Sequence, residues 1–195
     1  MGLTGLYGGA FDPPHNGHVA LARGAVEELG LERLLVLVVA APGHKEVEAD
    51  PETRLRLARA AFADVPGAEV RLDDHPRTID SVLAAGDAVR DAIFVVGADQ
   101  FAGFRDWKDP DGLLERVRLG VGTRPGFPRG RLDAVLALLE RPDRVVFFEI
   151  EPVDVSATDV RRRAAAGEPI DAFVPPAVAE LVDELGVYRR DPGLH

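Results

Sequence analysis

A doubly wound α/β fold, with a mostly parallel sheet and helices at the C-terminal end, is predicted by three features of this sequence. Apolar runs of strand length recur along the chain, and stretches with helical spacing separate them. Most of the runs are continuous rather than alternating, the pattern of strands buried on both faces of a parallel sheet.

The predicted strands are Leu3–Tyr7, Leu34–Ala40, Ala68–Leu72, Ile93–Val96, Val117–Val121 and Val145–Ile150. After the first strand, Val19, Leu21, Ala25, Val26 and Leu29 recur at helical spacing and stop at Gly30, a residue suited to a left-handed helix end. Leu55, Leu57, Ala58, Ala61 and Phe62 form a second helix, opening after Asp50-Pro51. Ile79, Val82 and Leu83 mark a third, and Leu132, Val135, Leu136 and Leu139 another. The last third is helical over Ala157–Ala166 and over Pro175–Leu185, entered through Pro175-Pro176. Asp106–Gly112 and Gly126–Gly130 have turn composition and are expected to be surface loops. No repeat or linker divides the chain, so residues 1–195 are expected to form a single domain.

Composition narrows the function classes. Hydrophobic residues make up 46% and charged residues 29%, a globular balance, and cysteine is absent, which excludes disulfides, thiolate metal sites and a cysteine nucleophile. The net charge of −10 opposes broad contact with nucleic-acid backbone or anionic lipid, so neither partner is expected. Any phosphate must be held in a locally cationic or amide-lined pocket. No run approaches membrane-spanning length and the first ten residues lack secretory character, so a cytoplasmic location is expected.

The most informative segment is Gly8-Gly9-Ala10-Phe11-Asp12-Pro13-Pro14-His15-Asn16-Gly17-His18, between the first strand and the first helix. It occupies the carboxyl end of a strand, where open α/β sheets hold ligands. Gly8 and Gly9 let a ligand approach the backbone, and the helix start offers unpaired amides and a positive dipole end. His15 and His18, three apart, lie on one side of that helix, and Gly17 between them leaves room for a phosphate. The pair reads as phosphate donors rather than metal ligands, and no protein metal site is expected.

Gly-Gly-x-Phe-Asp-Pro-x-His-x-Gly-His resembles the signature of the nucleotidylyltransferase superfamily, and in this form its bacterial nicotinate mononucleotide adenylyltransferases. The phosphopantetheine branch usually opens with Pro-Gly and has Thr in place of the first His, so His15 favours the nicotinate branch. The resemblance runs nearly to the end of the chain, to Leu-Gly-Val-Tyr at 185–188. It implies a Rossmann-like nucleotidylyltransferase fold with ATP contacts from Gly8, Gly9, Ala10, Phe11, His15 and His18.

Other motifs extend the resemblance, each with a plainer reading beside it. Ser156 or Thr158 can cap the helix that follows; the family's Ile-Ser-Ser-Thr-x-x-Arg implies that Ser156, Thr158 and Arg161 hold ATP phosphates. Ala157 stands where the family has a second Ser, which removes one hydroxyl donor. Gly97 and Asp99 follow the fourth strand; Asp99 is either a helix cap or, by resemblance, a group near the nucleotide. Lys45, in Pro42-Gly43-His44-Lys45, is a mobile phosphate donor or a solvated cation, and Arg124 either reaches the triphosphate or closes a turn. Trp107, the one Trp, lies among charges and presents a face for a pyridine ring. Thr78 matches the family's carboxylate-binding region, but Arg77 stands where the family has Tyr. His75 and His195 are read as surface residues.

The resemblance implies adenylyl transfer from ATP to nicotinate mononucleotide, with His15, His18, Lys45 and Arg161 as the catalytic groups. Lys45, Thr78 and Trp107 would hold the mononucleotide, and Mg²⁺ would bind through ATP oxygens. The departures at Ala157 and Arg77 keep two alternatives open: adenylyl or cytidylyl transfer to another phosphorylated acceptor, or a non-catalytic nucleotide sensor. Homo-oligomerisation is also left open.

Overall fold

The computed structural model describes residues 2–43 and 46–189. The chain runs β1 (Leu3–Gly9), α1 (Asn16–Leu29), β2 (Leu31–Val39), α2 (Pro51–Phe62), β3 (Ala68–Asp73), α3 (Thr78–Ala85) and β4 (Ile93–Gly97). It continues through α4 (Ala98–Ala102), α5 (Pro110–Arg116), β5 (Arg118–Thr123), α6 (Arg129–Leu136), β6 (Val145–Glu149), α7 (Ala157–Ala165) and α8 (Pro176–Leu185). The six strands form one sheet in the order β3-β2-β1-β4-β5-β6, with every neighbouring pair parallel. This is the doubly wound fold that the continuous apolar runs and intervening helices predict.

Side-chain alternation along the strands separates two apolar cores, one on each face of the sheet. Leu34, Val36 and Val38 of β2 join Tyr7 and Val95 against α1, α2, α7 and α8. Leu6, Phe94, Val96, Leu119 and Val121 join the opposite core, with residues of α3, α4, α5 and α6. Helix α1 lies close to β5 because that strand is glycine on the α1 side. A Cβ on Gly120 would stand 2.8 Å from Leu29, and one on Gly122 would collide with Leu21.

Several boundaries differ from the sequence reading. Gly30 closes α1 in the left-handed conformation (φ 64°), and β2 starts immediately after it at Leu31, not at Leu34. The expected loop Asp106–Gly112 is partly helical: Asp109 caps α5 by accepting from Gly112 N at 3.1 Å, and Pro110 opens the helix. The loop at Gly126–Gly130 likewise ends early, because α6 begins at Arg129. Among the described residues no helix is long and apolar enough to cross a membrane.

Candidate active site

The site begins where the sheet changes direction of winding. On one side β1 pairs with β2 over its whole length, as far as Gly9 opposite Val38. On the other side its ladder with β4 ends at Leu6 opposite Phe94. Tyr7–Gly9 and Val95–Gly97 therefore diverge, and the crevice between them opens at the carboxyl ends of the strands. Two cavities flank this crevice and share Gly8, Gly9, Ala10 and Gln100 as common wall.

The larger cavity, of about 620 Å³, brings together distant segments. Its walls include Gly8, Gly9, Ala10, Phe11, His15 and His18 from the β1–α1 turn, and Gly97 and Asp99 from the end of β4. Arg124 enters after β5, and Ser156, Thr158 and Arg161 come from the start of α7. These are the residues for which the sequence implies ATP contacts. Asp99 is not the cap of α4; Gly97 occupies that position, and the exposed Asp99 lies in the first turn. Ser156 does cap α7: its hydroxyl accepts from Asp159 N at 3.1 Å and donates to the Asp159 carboxylate at 2.6 Å. Arg124 closes a turn, its carbonyl accepting from Phe127 N at 3.1 Å, and the residue also lines the cavity. Lys45 and His195 lie outside the described residues.

The two imidazoles stack, with ring centroids 3.6 Å apart and planes 21° from parallel. His18 Nδ1 accepts from the main-chain N–H of His15 at 3.2 Å, which puts the ring proton of neutral His18 on Nε2. His15 is buried against Gly17, and its Nδ1 has no hydrogen-bond partner among the described residues. Burial lowers the His15 pKa to about 4, so at neutral pH this ring is uncharged. A Cβ on Gly17 would stand 3.2 Å from the His15 ring, so glycine permits the ring to lie over the helix start.

Beneath the cavity a polar framework fixes the loop. Arg54 is fully buried, and its guanidinium donates to four carbonyls: Ala10 and Val39 at 2.8 Å, Ala40 at 2.7 Å and Ala49 at 3.1 Å. It therefore ties the ends of β1 and β2 to the approach of α2. Asp12, also buried, accepts from Glu48 N at 2.7 Å, Ala49 N at 3.1 Å and the Tyr188 hydroxyl at 2.7 Å. Arg161 donates through Nη1 to the Asp12 carbonyl and through Nε to Glu48, both at 2.7 Å. Sequence reading assigned no role to Arg54, Glu48 or Tyr188. A signal did exist for Arg54: with Leu57, Ala58 and Ala61 it falls on the apolar stripe of α2, where a charge needs an internal partner.

The smaller cavity, of about 370 Å³, has Leu37, Val39 and Phe94 as apolar floor and includes Thr78 and Trp107. Trp107 is half-buried and meets Phe94 edge-on at 6.2 Å and Phe104 at 5.4 Å, so it is neither free in solvent nor part of the sealed core. Arg77 lines the same cavity from an exposed position before α3. His75 is partly exposed, as a surface residue should be, and it also lines the cavity, with Asp73 Oδ1 2.9 Å from its Nδ1. Ser81 donates to the other oxygen of Asp73 at 2.5 Å. Lys108 crosses the rim to Asp80, with its ammonium 2.7 and 3.0 Å from the two carboxylate oxygens.

Among the described residues, no group of three or more His, Asp or Glu side chains is placed to hold a metal ion. The donor groups at the site are imidazoles, guanidiniums, hydroxyls and helix-start amides, a set that complements phosphate, alongside the carboxylates of Asp12, Glu46, Asp99 and Glu151.

Residues 6–163 match the cytidylyltransferase-like family. A protein of Rubrobacter xylanophilus named as a probable nicotinate-nucleotide adenylyltransferase is 36% identical over 198 residues, spanning 96% of this chain and 92% of the relative. A Thermus thermophilus protein of the same name is 35% identical over 192 residues, spanning 95% and 98%. The solved structure of Plasmodium falciparum nicotinic acid mononucleotide adenylyltransferase complexed with NaAD superposes with a TM-score of 0.79 at 13% identity, covering 96% of this chain and 98% of that one. The order of the strands, the crevice at the end of β1 and full-length similarity agree: this chain belongs to the nicotinate-nucleotide adenylyltransferase family, within the cytidylyltransferase-like nucleotidyltransferases.

Proposed function

We propose that this protein transfers the adenylyl group of ATP to nicotinate mononucleotide, releasing pyrophosphate and forming the deamido dinucleotide of NAD biosynthesis. The observation that carries this reading is the pair of cavities sharing Gly8, Gly9 and Ala10 as common wall. The larger would receive ATP through His15, His18, Arg124, Thr158 and Arg161. The smaller would receive the mononucleotide, with its ring against Trp107 and its carboxylate near Thr78 and Arg77. The two reacting phosphates would then meet over the glycines, where no side chain intervenes.

The mononucleotide phosphate is largely dianionic at neutral pH, so the chemistry needs no strong general base. One of its oxygens bonds to the α-phosphorus of ATP, the bond from that phosphorus to the oxygen bridging to Pβ breaks, and pyrophosphate leaves with the electron pair. What the protein must do is bring two anions into line and stabilise charge on the transferring group. Neutral His18 can donate Nε2–H to a phosphate oxygen, and Arg161 brings a permanent charge already oriented by Asp12 and Glu48. His15, uncharged at neutral pH because of its burial, would take up a proton as phosphate oxygens approach. Mg²⁺ would bind through ATP oxygens and water, with no protein carboxylate cluster required, and would supply further neutralisation of the phosphates.

The test is pyrophosphate release from ATP and Mg²⁺ with a panel of phosphorylated acceptors. Release dependent on nicotinate mononucleotide is expected. Release with a different acceptor only, or ATP binding without release, would replace this reading by one of its alternatives.

A further inference from the structure

The last described turn of the chain reaches back to the first loop of the site. Tyr188 follows Gly186, the left-handed end of α8, and itself has φ of 63°, a conformation that side chains other than glycine rarely adopt. Its ring is buried in the core that packs α1, α2, α7 and α8. Its hydroxyl donates to Asp12 Oδ1 across 176 positions of sequence. Burial and the adjacent Asp12 carboxylate push the phenol pKa up, so the hydroxyl stays protonated and remains a donor.

Asp12 is where three other segments converge. Its Oδ2 accepts from Glu48 N, and its Oδ1 is shared between Ala49 N and Tyr188. Its main-chain carbonyl receives Arg161 Nη1, while Arg161 Nε is held by Glu48. Two positions of the phosphate cavity thus hang from one carboxylate: the Phe11–His15 turn through its own backbone, and Arg161 through the carbonyl and through Glu48. The anchoring of α8 does not need the hydroxyl, because Val178, Ala179 and Val182 already bury its apolar face.

We propose that Tyr188 is a positioning residue for adenylyl transfer: its hydroxyl sets the orientation of Asp12, and through it the placement of Arg161 and the β1–α1 turn around the triphosphate. This inference rests on the larger cavity being the ATP site. It assigns the C-terminal turn a role on one substrate and not the other, since no described contact links Tyr188 to the smaller cavity.

Tyr188→Phe keeps the ring and removes only the donor. In the full-length chain, kcat/KM for ATP is expected to fall about tenfold, as misplaced reacting groups do. The KM for the mononucleotide should stay within about twofold, and the melting temperature should change little. Asp12→Ala should lower the same ATP parameter, and adding Tyr188→Phe to it should cost almost nothing more, because the acceptor of the Tyr188 hydroxyl is already gone. The inference is overturned if Tyr188→Phe matches the parent in ATP kinetics, if its loss is shared equally by both substrates and follows a fall in folded fraction, or if the two substitutions multiply. A parent that neither binds ATP nor releases pyrophosphate overturns the functional reading itself, and this inference with it.

Discussion

The two cavities are built by different means. Around the larger one the polar groups are fixed mostly by main chain: Arg54 on four carbonyls, Asp12 on two amides besides the Tyr188 hydroxyl, His18 on the amide of His15. Around the smaller one they are fixed by side-chain pairs near the surface, His75 with Asp73 and Lys108 with Asp80. Main-chain anchoring of buried groups tolerates little substitution, whereas surface pairs can be exchanged at small cost. On the proposed assignment the ATP side is therefore the more generic half, and the acceptor side is where members of such a family can differ. Arg77, in place of the family's Tyr, lies on that side.

Substitutions should expose this contrast. Removing Arg54 leaves buried carbonyls at the ends of both β1 and β2 without donors, so Arg54→Ala should lower the unfolding free energy by about 3–5 kcal/mol in urea denaturation. A loss below ~1 kcal/mol would mean that water replaces the guanidinium and that the framework is not rigid. His18→Ala should leave the fold intact and reduce kcat at least about tenfold, through the lost donor to a phosphate oxygen. Unchanged turnover would remove His18 from the mechanism.

On the acceptor side, Trp107→Ala should raise the mononucleotide KM about tenfold, consistent with base–aromatic stacking, and leave the ATP KM nearly unchanged. Equal changes in both would show that Trp107 supports the cavity wall and does not select a substrate. The smallest effect belongs to Lys108→Ala. Its ion pair with Asp80 involves a mostly exposed ammonium and should contribute less than ~1 kcal/mol, about a twofold change in mononucleotide KM.

His15 gives the larger cavity a pH signature. Its folded-state pKa of about 4 lies below the ordinary 6.5, so between those values the unfolded chain binds a proton that the folded chain excludes. The stabilisation is fully present above about pH 6.5 and is lost as pH falls toward 4, amounting at most to roughly 3 kcal/mol. Thermal melts of the parent and of His15→Gln from pH 7.5 to 4.5 should converge toward the acid end. Parallel curves would contradict the buried neutral ring.

The sequence reading was accurate where the signal is local. The segment Gly8–His18 holds its glycines and imidazoles within one turn, and a strand followed by a helix places them on the ligand edge. The cavity-lining residues after β4, β5 and β6 are legible for the same reason, since parallel topology puts every strand's carboxyl end on that edge. Partnerships that only the tertiary fold creates were not legible. Nothing near Asp12 announces Tyr188, 176 residues away. A histidine between Asp74 and Pro76 has no periodicity to reveal that, besides being exposed, it lines a cavity beside Asp73. The start of α5 has the composition of a loop, because Asp109, Pro110 and Gly112 are turn formers that here serve as cap and first turn.

The division of labour between the cavities can be read from a single fluorophore. Trp107 is the chain's one tryptophan and lines only the smaller cavity of the pair, so its emission reports that cavity alone. Titration with nicotinate mononucleotide should quench Trp107 saturably, with a midpoint close to the kinetic KM, while ATP without acceptor should leave the emission nearly unchanged. Quenching by ATP together with indifference to the mononucleotide would contradict the assignment of the two sites.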